Sequence, residues 1–176
     1  MTDSSDVSSA AKEMAARFAG SEGLPLLRDL IRRQALTEGK LDVIDQIVAV
    51  AKIESYEPGE VIIRQGGTDT DIFFILSGSV RIDINGRDDA ERPAGTHIGE
   101  MAAIDPAAQR STTIHASAPT VVARVNEPDF SRVADAHPFI CDTSQENWPT
   151  ACARGSQRCQ SASRSRVCSL LLRAKG

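Results

Sequence analysis

Three patterns of apolar spacing follow one another along the chain. From Ala10 to about Lys52 the spacing is helical. Met14 and Phe18 lie four apart, and Leu24, Leu27, Leu30 and Ile31 form a stripe. Leu41, Ile44 and Ile47 or Val48 form another. Two or three short helices are predicted, broken at Gly23 and Gly39. Their stripes read as packing surface. The residues before Ala10, "MTDSSDVSS", read as a disordered lead. At Tyr56 the period shortens. "YEPGEVIIRQGG" is a Pro-Gly turn, a β-branched run and a Gly-Gly turn. Ile72 to Leu76 form a continuous apolar strand, and Ser77-Gly78 mark a turn. Val80, Ile82 and Ile84 then alternate with Arg81 and Asp83, as in a half-buried strand. Asn85-Gly86 supplies a tight hairpin turn. "RSTTIHA" and "TVVARV" read as a further strand pair around Pro119. Helical spacing returns at "NEPDFSRVADAHPFI", where Asn126 is a natural N-cap and Pro128 and Asp129 fall in the first turn.

These patterns divide the chain into a lead (1–9), a helical segment (10–54), a β unit with a following helix (55–146) and an irregular tail (147–176). Short strands between Gly and Pro turns predict a barrel or sandwich. The fold class is α+β: an antiparallel β-roll or jelly-roll barrel flanked by N-terminal helices and a C-terminal helix.

Composition narrows the function. The chain has 176 residues, 41% hydrophobic, and a net charge of −4. That suits a globular domain and argues against a nucleic-acid surface spread over the whole protein. No run approaches the roughly 20 apolar residues of a membrane span. The N-terminus lacks a signal peptide's basic and apolar regions, so a cytoplasmic location is expected. Cys141, Cys152, Cys159 and Cys168 all lie near the C-terminus without C-x-x-C spacing, and read as free thiols. No metal constellation and no nucleophile with its base is apparent, so neither an enzyme nor a cofactor is expected. His97 and His115 have no pairing partner in sequence and read as packed or solvated.

The chemistry concentrates in "GEMAAIDPAAQRSTT", residues 99–113. Gly99 lets backbone approach a ligand closely. "EMAAI" is helix-prone, and the unpaired N–H groups of residues 100–103, including Met101 and Ala102, would form an anion site. Arg110 offers a planar fork for two phosphate oxygens, with the hydroxyls of Ser111 and Thr112 beside it. Glu100 is a poor neighbour for phosphate but a good acceptor for hydroxyls. A ligand carrying both a phosphate and a ribose hydroxyl accounts for the two charges. The bland alternative is a surface ion pair between Glu100 and Arg110, worth at most about 1 kcal/mol.

This segment resembles the phosphate-binding cassette of the cyclic nucleotide-binding domain family, which runs Gly-Glu, a short apolar helix, then Arg followed by Ser, Thr or Ala. The ordered series PGE, FILSGSV, IGE and QRSTT extends the resemblance over roughly Tyr56 to His137. It implies that Glu100 accepts the ribose 2′-hydroxyl, that the N–H groups after Gly99 hold the cyclic phosphate, and that Arg110 pairs with the exocyclic oxygens. Val80, Ile82 or Ile84, and Ile98 are candidates for the wall under the base. Ser111 stands where cGMP binders often have Thr and many cAMP binders Ala, which leaves cAMP and cGMP both open. The implied function is a cyclic nucleotide-binding regulatory module, with a homodimer and a downstream protein as open partners. The alternative is the same fold without nucleotide, acting in dimerisation or docking. A catabolite-activator-type regulator shares the barrel, but the 30 residues of 147–176 are too few and too irregular for its DNA-binding domain.

In this family a helix after the barrel closes over the base. Here Pro149 and Gly155 interrupt that region. Shifting the reading frame by two bases through Asn147, Trp148 and Pro149 turns it toward Leu-Ala, the start of a typical lid. The tail is therefore either a frame-shifted former lid or an independent basic tail. Loss of about 100 Å² of apolar cover forfeits about 2.5 kcal/mol, so reduced affinity is expected.

Overall fold

The computed structural model of the chain describes residues 4–100, 109–137 and 140. Three helices come first: α1 (Ser4–Ala16), α2 (Gly20–Arg32) and α3 (Leu41–Val50), with a 3₁₀ turn at Ala35–Thr37. Eight strands follow: β1 (Lys52–Tyr56), β2 (Val61–Ile63), β3 (Ile72–Ser77), β4 (Ser79–Ile84), β5 (Arg87–Pro93), β6 (His97–Ile98), β7 (Thr113–Ala116) and β8 (Thr120–Val125). Helix α4 (Glu127–Ala136) comes after the strands, and the Asn126 side chain caps it by accepting from the Asp129 N–H.

The strands form two antiparallel four-stranded sheets, β1-β8-β3-β6 and β2-β7-β4-β5. This is the α+β roll expected, with helices on either side of it in sequence. The first sheet has two apolar faces. Ile72, Phe74, Leu76, Val121, Ala123 and Val125 meet Leu27, Ile31, Leu36, Ile44 and Ile47 of the helical layer, with Phe130 and Val133 of α4. Phe73, Ile75 and Val122 face the other way, toward Ile63, Val80, Ile98 and Ile114. Burial on both faces is why residues 72–76 read as an unbroken apolar run.

Four expectations need correction. The break between α1 and α2 falls at residues 17–19, Gly20 (φ +70°) opens α2, and Gly23 lies inside it. A Cβ on Gly23 would sit 2.3 Å from the Phe18 carbonyl carbon, so this glycine serves close backbone approach instead of a turn. Helix α1 begins at Ser4, inside the stretch read as a lead, because a nucleated helix extends at little cost per residue. Strand β1 begins at Lys52, where the helical reading still ran. Its inner face carries Glu54, so no apolar alternation announces it. Finally, β7 and β8 do not pair with each other. They join different sheets, as β3 and β4 do across Gly78. The two crossings lock together: the Ser79 carbonyl accepts from the Ser117 N–H at 2.9 Å and from the Thr120 hydroxyl at 2.9 Å.

Candidate functional site

The cassette's two ends meet beside β3. Gly99 follows β6 in the left-handed region at φ +89°. A Cβ there would lie 2.6 Å from the Asp71 carbonyl oxygen and 3.0 Å from Arg110 Nη1, so only glycine fits. Arg110 arrives from the other end, just ahead of β7. Its backbone exchanges two hydrogen bonds with the β2–β3 turn: Gly66 N–H donates to the Arg110 carbonyl, and Arg110 N–H to the Gly67 carbonyl, each at 2.9 Å.

The Arg110 guanidinium is buried, with 5% of its side chain exposed. Nε and Nη2 both donate to Asp69 Oδ2, at 3.0 and 2.6 Å. Nη2 also donates to the Asp71 carbonyl at 2.6 Å, and Nη1 to the Gly99 carbonyl at 3.1 Å. With the described residues, four of its five N–H groups are engaged, the fifth being on Nη1. Among the described residues, the carboxylate facing Arg110 is therefore Asp69, not Glu100. Asp69 is 44% exposed, so the cation is the buried partner and the anion the solvated one. Sequence reasoning missed Asp69. The signal available was the pair of acids in "GGTDTD", directly after a Gly-Gly turn.

Glu100 is half-buried. It acts on His97 by raising that ring's pKa, but burial dominates and Arg92 works with it, so His97 titrates below its ordinary range. His97 packs at a tilt on Phe74, with ring centroids 6.2 Å apart. This is the packed histidine expected. His115 is half-buried on β7, in register with Val61 and Arg81. Ser111 is exposed and Thr112 half-buried beside Arg110. Met101 and Ala102 lie outside the described residues, as does the tail.

Of the four wall candidates, Val80 and Ile98 are buried in the barrel interior and Ile82 packs against that cluster. Ile84 is half-buried and outside it. The ladder to β5 slips between Ile82 and Asp83, which interrupts the simple alternation.

A second charged group lies on the inner face of the first sheet, and the sequence did not announce it. Arg124 on β8 donates from Nε to Asp71 Oδ2 at 2.6 Å and from Nη1 to Glu54 Oε1 at 3.0 Å. Its guanidinium carbon is 6.0 Å from the Phe73 ring centre. Tyr56 donates to Glu54 Oε2 at 2.7 Å, and burial followed by that acidic partner pushes the Tyr56 phenol well up. The hydrogen bond to Glu54 raises the pKa of Arg124 further. Among the described residues, no group of three His, Cys, Asp or Glu side chains could hold a metal ion, and no helix is long and apolar enough to cross a membrane.

The family model for the cyclic nucleotide-binding domain matches residues 53–137. The chain is 34% identical over 124 residues to the Pycsar effector protein PaPycTIR of Pseudomonas aeruginosa, covering 70% of this chain and 40% of that one. It is 35% identical over 127 residues to BcPycTIR of Burkholderia cepacia, covering 72% and 42%. The chain thus spans about 40% of the length of these curated relatives. Among solved structures, the regulatory domain of Toxoplasma gondii PKA with cAMP aligns at a TM-score of 0.60 and 17% identity, over 65% of this chain and 46% of that one. The Thermus thermophilus catabolite activator protein aligns at 0.57 and 22%, over 64% and 55%. At these identities the structural likeness speaks for the fold.

Proposed function

Residues 53–137 belong to the cyclic nucleotide-binding domain family, and from that premise we propose that the chain is a regulatory module that binds a cyclic nucleotide and acts through binding, not catalysis. The cyclic phosphate is held in the cassette from Gly99 to Ser111. Arg110 meets its exocyclic oxygens, with Ser111 and Thr112 beside it. Glu100 takes the ribose 2′-hydroxyl. Met101 and Ala102 follow Gly99 as sources of backbone N–H. Val80, Ile82 and Ile98 are the candidate wall under the base; Ile84 is the weaker candidate.

The observation that carries this reading is the state of Arg110. A buried guanidinium is held on two backbone carbonyls, of Asp71 and Gly99, and neutralised by a half-exposed carboxylate. The carbonyls are fixed by the chain. Asp69 is not: it can turn to solvent at little cost, because an exposed carboxylate keeps most of its hydration. An arriving phosphate therefore replaces one anion by another and finds the fork already oriented.

The same contact supports a second reading. Asp69 satisfies Arg110 internally, so the roll could persist without nucleotide and serve in dimerisation or docking. The ligand is cAMP or cGMP, and affinity is lowered by the Pro149 and Gly155 interruptions in the region where a lid would follow. A second copy of the chain and a downstream protein are the partners this reading leaves room for.

Calorimetric titration with cAMP and with cGMP tests it, using wild type and Arg110→Ala. Saturable binding, weakened by about 2–5 kcal/mol in the variant, is the expected outcome. If neither nucleotide binds at millimolar concentration, the regulatory reading fails and the second stands.

A further inference from the structure

Asp71 serves two arginines at once. Its carbonyl oxygen accepts from Arg110 Nη2 at 2.6 Å. Its carboxylate accepts from Arg124 Nε at 2.6 Å and pairs with Arg124 Nη2 through the same oxygen. The two guanidinium groups come from opposite ends of the β7–β8 segment, and both reach the residue just ahead of β3. The geometry points to Arg124 as a positioning residue for Arg110: it holds the Asp71 carboxylate, so that Asp71 meets the cassette arginine through its carbonyl alone.

The argument is one of competing anions. Arg110 already carries one carboxylate, Asp69, that a phosphate must replace. The Asp71 carboxylate belongs to a residue whose carbonyl Arg110 touches, so it is an anion close at hand. It is also well buried, with 13% of the side chain exposed, and water compensates it poorly. An uncompensated carboxylate there turns to the available cation. Two carboxylates on one fork would occupy the N–H groups a phosphate needs and cancel the charge that attracts it.

The Arg124 side chain is 42% exposed, but its guanidinium is held by several contacts. Glu54 on β1 holds Nη1, Tyr56 holds Glu54, and the Phe73 ring lies under the guanidinium. These contacts come from the two strands flanking β8, whose register places Lys52 and Phe73 opposite Arg124. A fork held on three sides keeps the Asp71 carboxylate in one place, which a flexible ammonium would do less well.

This inference rests on the cyclic nucleotide reading, and its test separates the two. Nucleotide titrations with cAMP and cGMP are run on wild type, Arg124→Met, Asp71→Asn and the double variant, each checked by thermal melting. Arg124→Met is expected to bind about tenfold more weakly, and the double variant to return to within about threefold of wild type, because the competing charge is gone while the carbonyl stays. Asp71→Asn alone stays within about threefold of wild type. A structural role for Arg124 would not be rescued by removing its partner.

Wild-type affinity in Arg124→Met overturns the inference, as does a double variant that remains weak. A tenfold loss in Asp71→Asn alone also overturns it, and that arm decides the matter if Arg124→Met does not fold. A ligand-free readout is the NMR resonance of the Arg110 Nε–H, assigned through Arg110→Lys. It should move in Arg124→Met and return in the double variant; a resonance that stays put overturns the inference. If wild type binds neither nucleotide, the cyclic nucleotide reading fails, and this resonance still decides the role of Arg124.

Discussion

Arg110 Nη1 donates to the Gly99 carbonyl at 3.1 Å across eleven residues of chain. This bond joins the two ends of the cassette, so the position of each depends on the other. Gly99→Ala would place a methyl 2.6 Å from the Asp71 carbonyl at a φ that alanine tolerates poorly. The variant should lose about 1–3 kcal/mol of stability in a denaturant titration, with nucleotide affinity falling as well. Unchanged stability would mean that the backbone at residue 99 relaxes freely, and that its conformation is not what holds the cassette ends together.

Asp69→Asn removes the counter-charge of a buried cation. The free protein should melt lower, by the equivalent of about 1–2 kcal/mol, a modest value because Asp69 is partly in water. A bound phosphate supplies the missing charge. The melting shift produced by saturating cAMP or cGMP should therefore be larger in the variant than in wild type. An equal or smaller shift would show that Asp69 stays on Arg110 in the complex.

His97 gives stability a pH dependence of known sign. Burial holds its folded pKa below 6.5. As pH falls through 6.5, the unfolded chain binds a proton that the folded chain does not, so the stability associated with neutral His97 is lost progressively until pH reaches the folded pKa. Above 6.5 the contribution is constant. His97→Leu should flatten the stability profile between about pH 6.5 and 5, where most carboxylates remain ionised. Parallel profiles for wild type and variant would show that His97 is protonated in the folded state too, stabilised by Glu100.

Gln34 is a buried polar group that the core would do as well without. It is 1% exposed, its Oε1 has no partner among the described residues, and its Nε2 reaches the Ile75 carbonyl at only 3.3 Å. That carbonyl already accepts from the Gly95 N–H at 2.9 Å. Gln34→Leu should be neutral or stabilising by up to about 1 kcal/mol, since it removes an unpaired oxygen and leaves no acceptor stranded. A loss above about 1 kcal/mol would point to a buried water satisfying Oε1.

Local signals were legible in the residues. Asn126 caps α4 as its type and position required, and Asn85, at φ +55°, turns the β4–β5 hairpin. Gly99 and Arg110 were found because their types at that interval suit a phosphate and match a family pattern. Nonlocal pairing was less legible. The shortness of the turn around Pro119 suggests a strand pair, whereas that turn, like the one at Gly78, crosses between sheets. Asp69, Asp71, Glu54 and Arg124 carry no periodicity that singles them out. They become a network only when β1, β3 and β8 align, with partners 39 to 70 residues apart in sequence.

Strand β3 belongs to two cores, Phe74 to the helical one and Phe73 to that of the roll. The consequence concerns where the chain can be cut. The family match starts at residue 53, just past α3. A fragment begun there would lose the three N-terminal helices and bare the part of the Ile72, Phe74, Leu76, Val121, Ala123 and Val125 face that Leu27, Ile31, Leu36, Ile44 and Ile47 cover. Such a face seeks another like it, so the fragment should associate in solution instead of standing alone. The matched segment starts past helices that share its core. The helices that precede the roll are part of its wall.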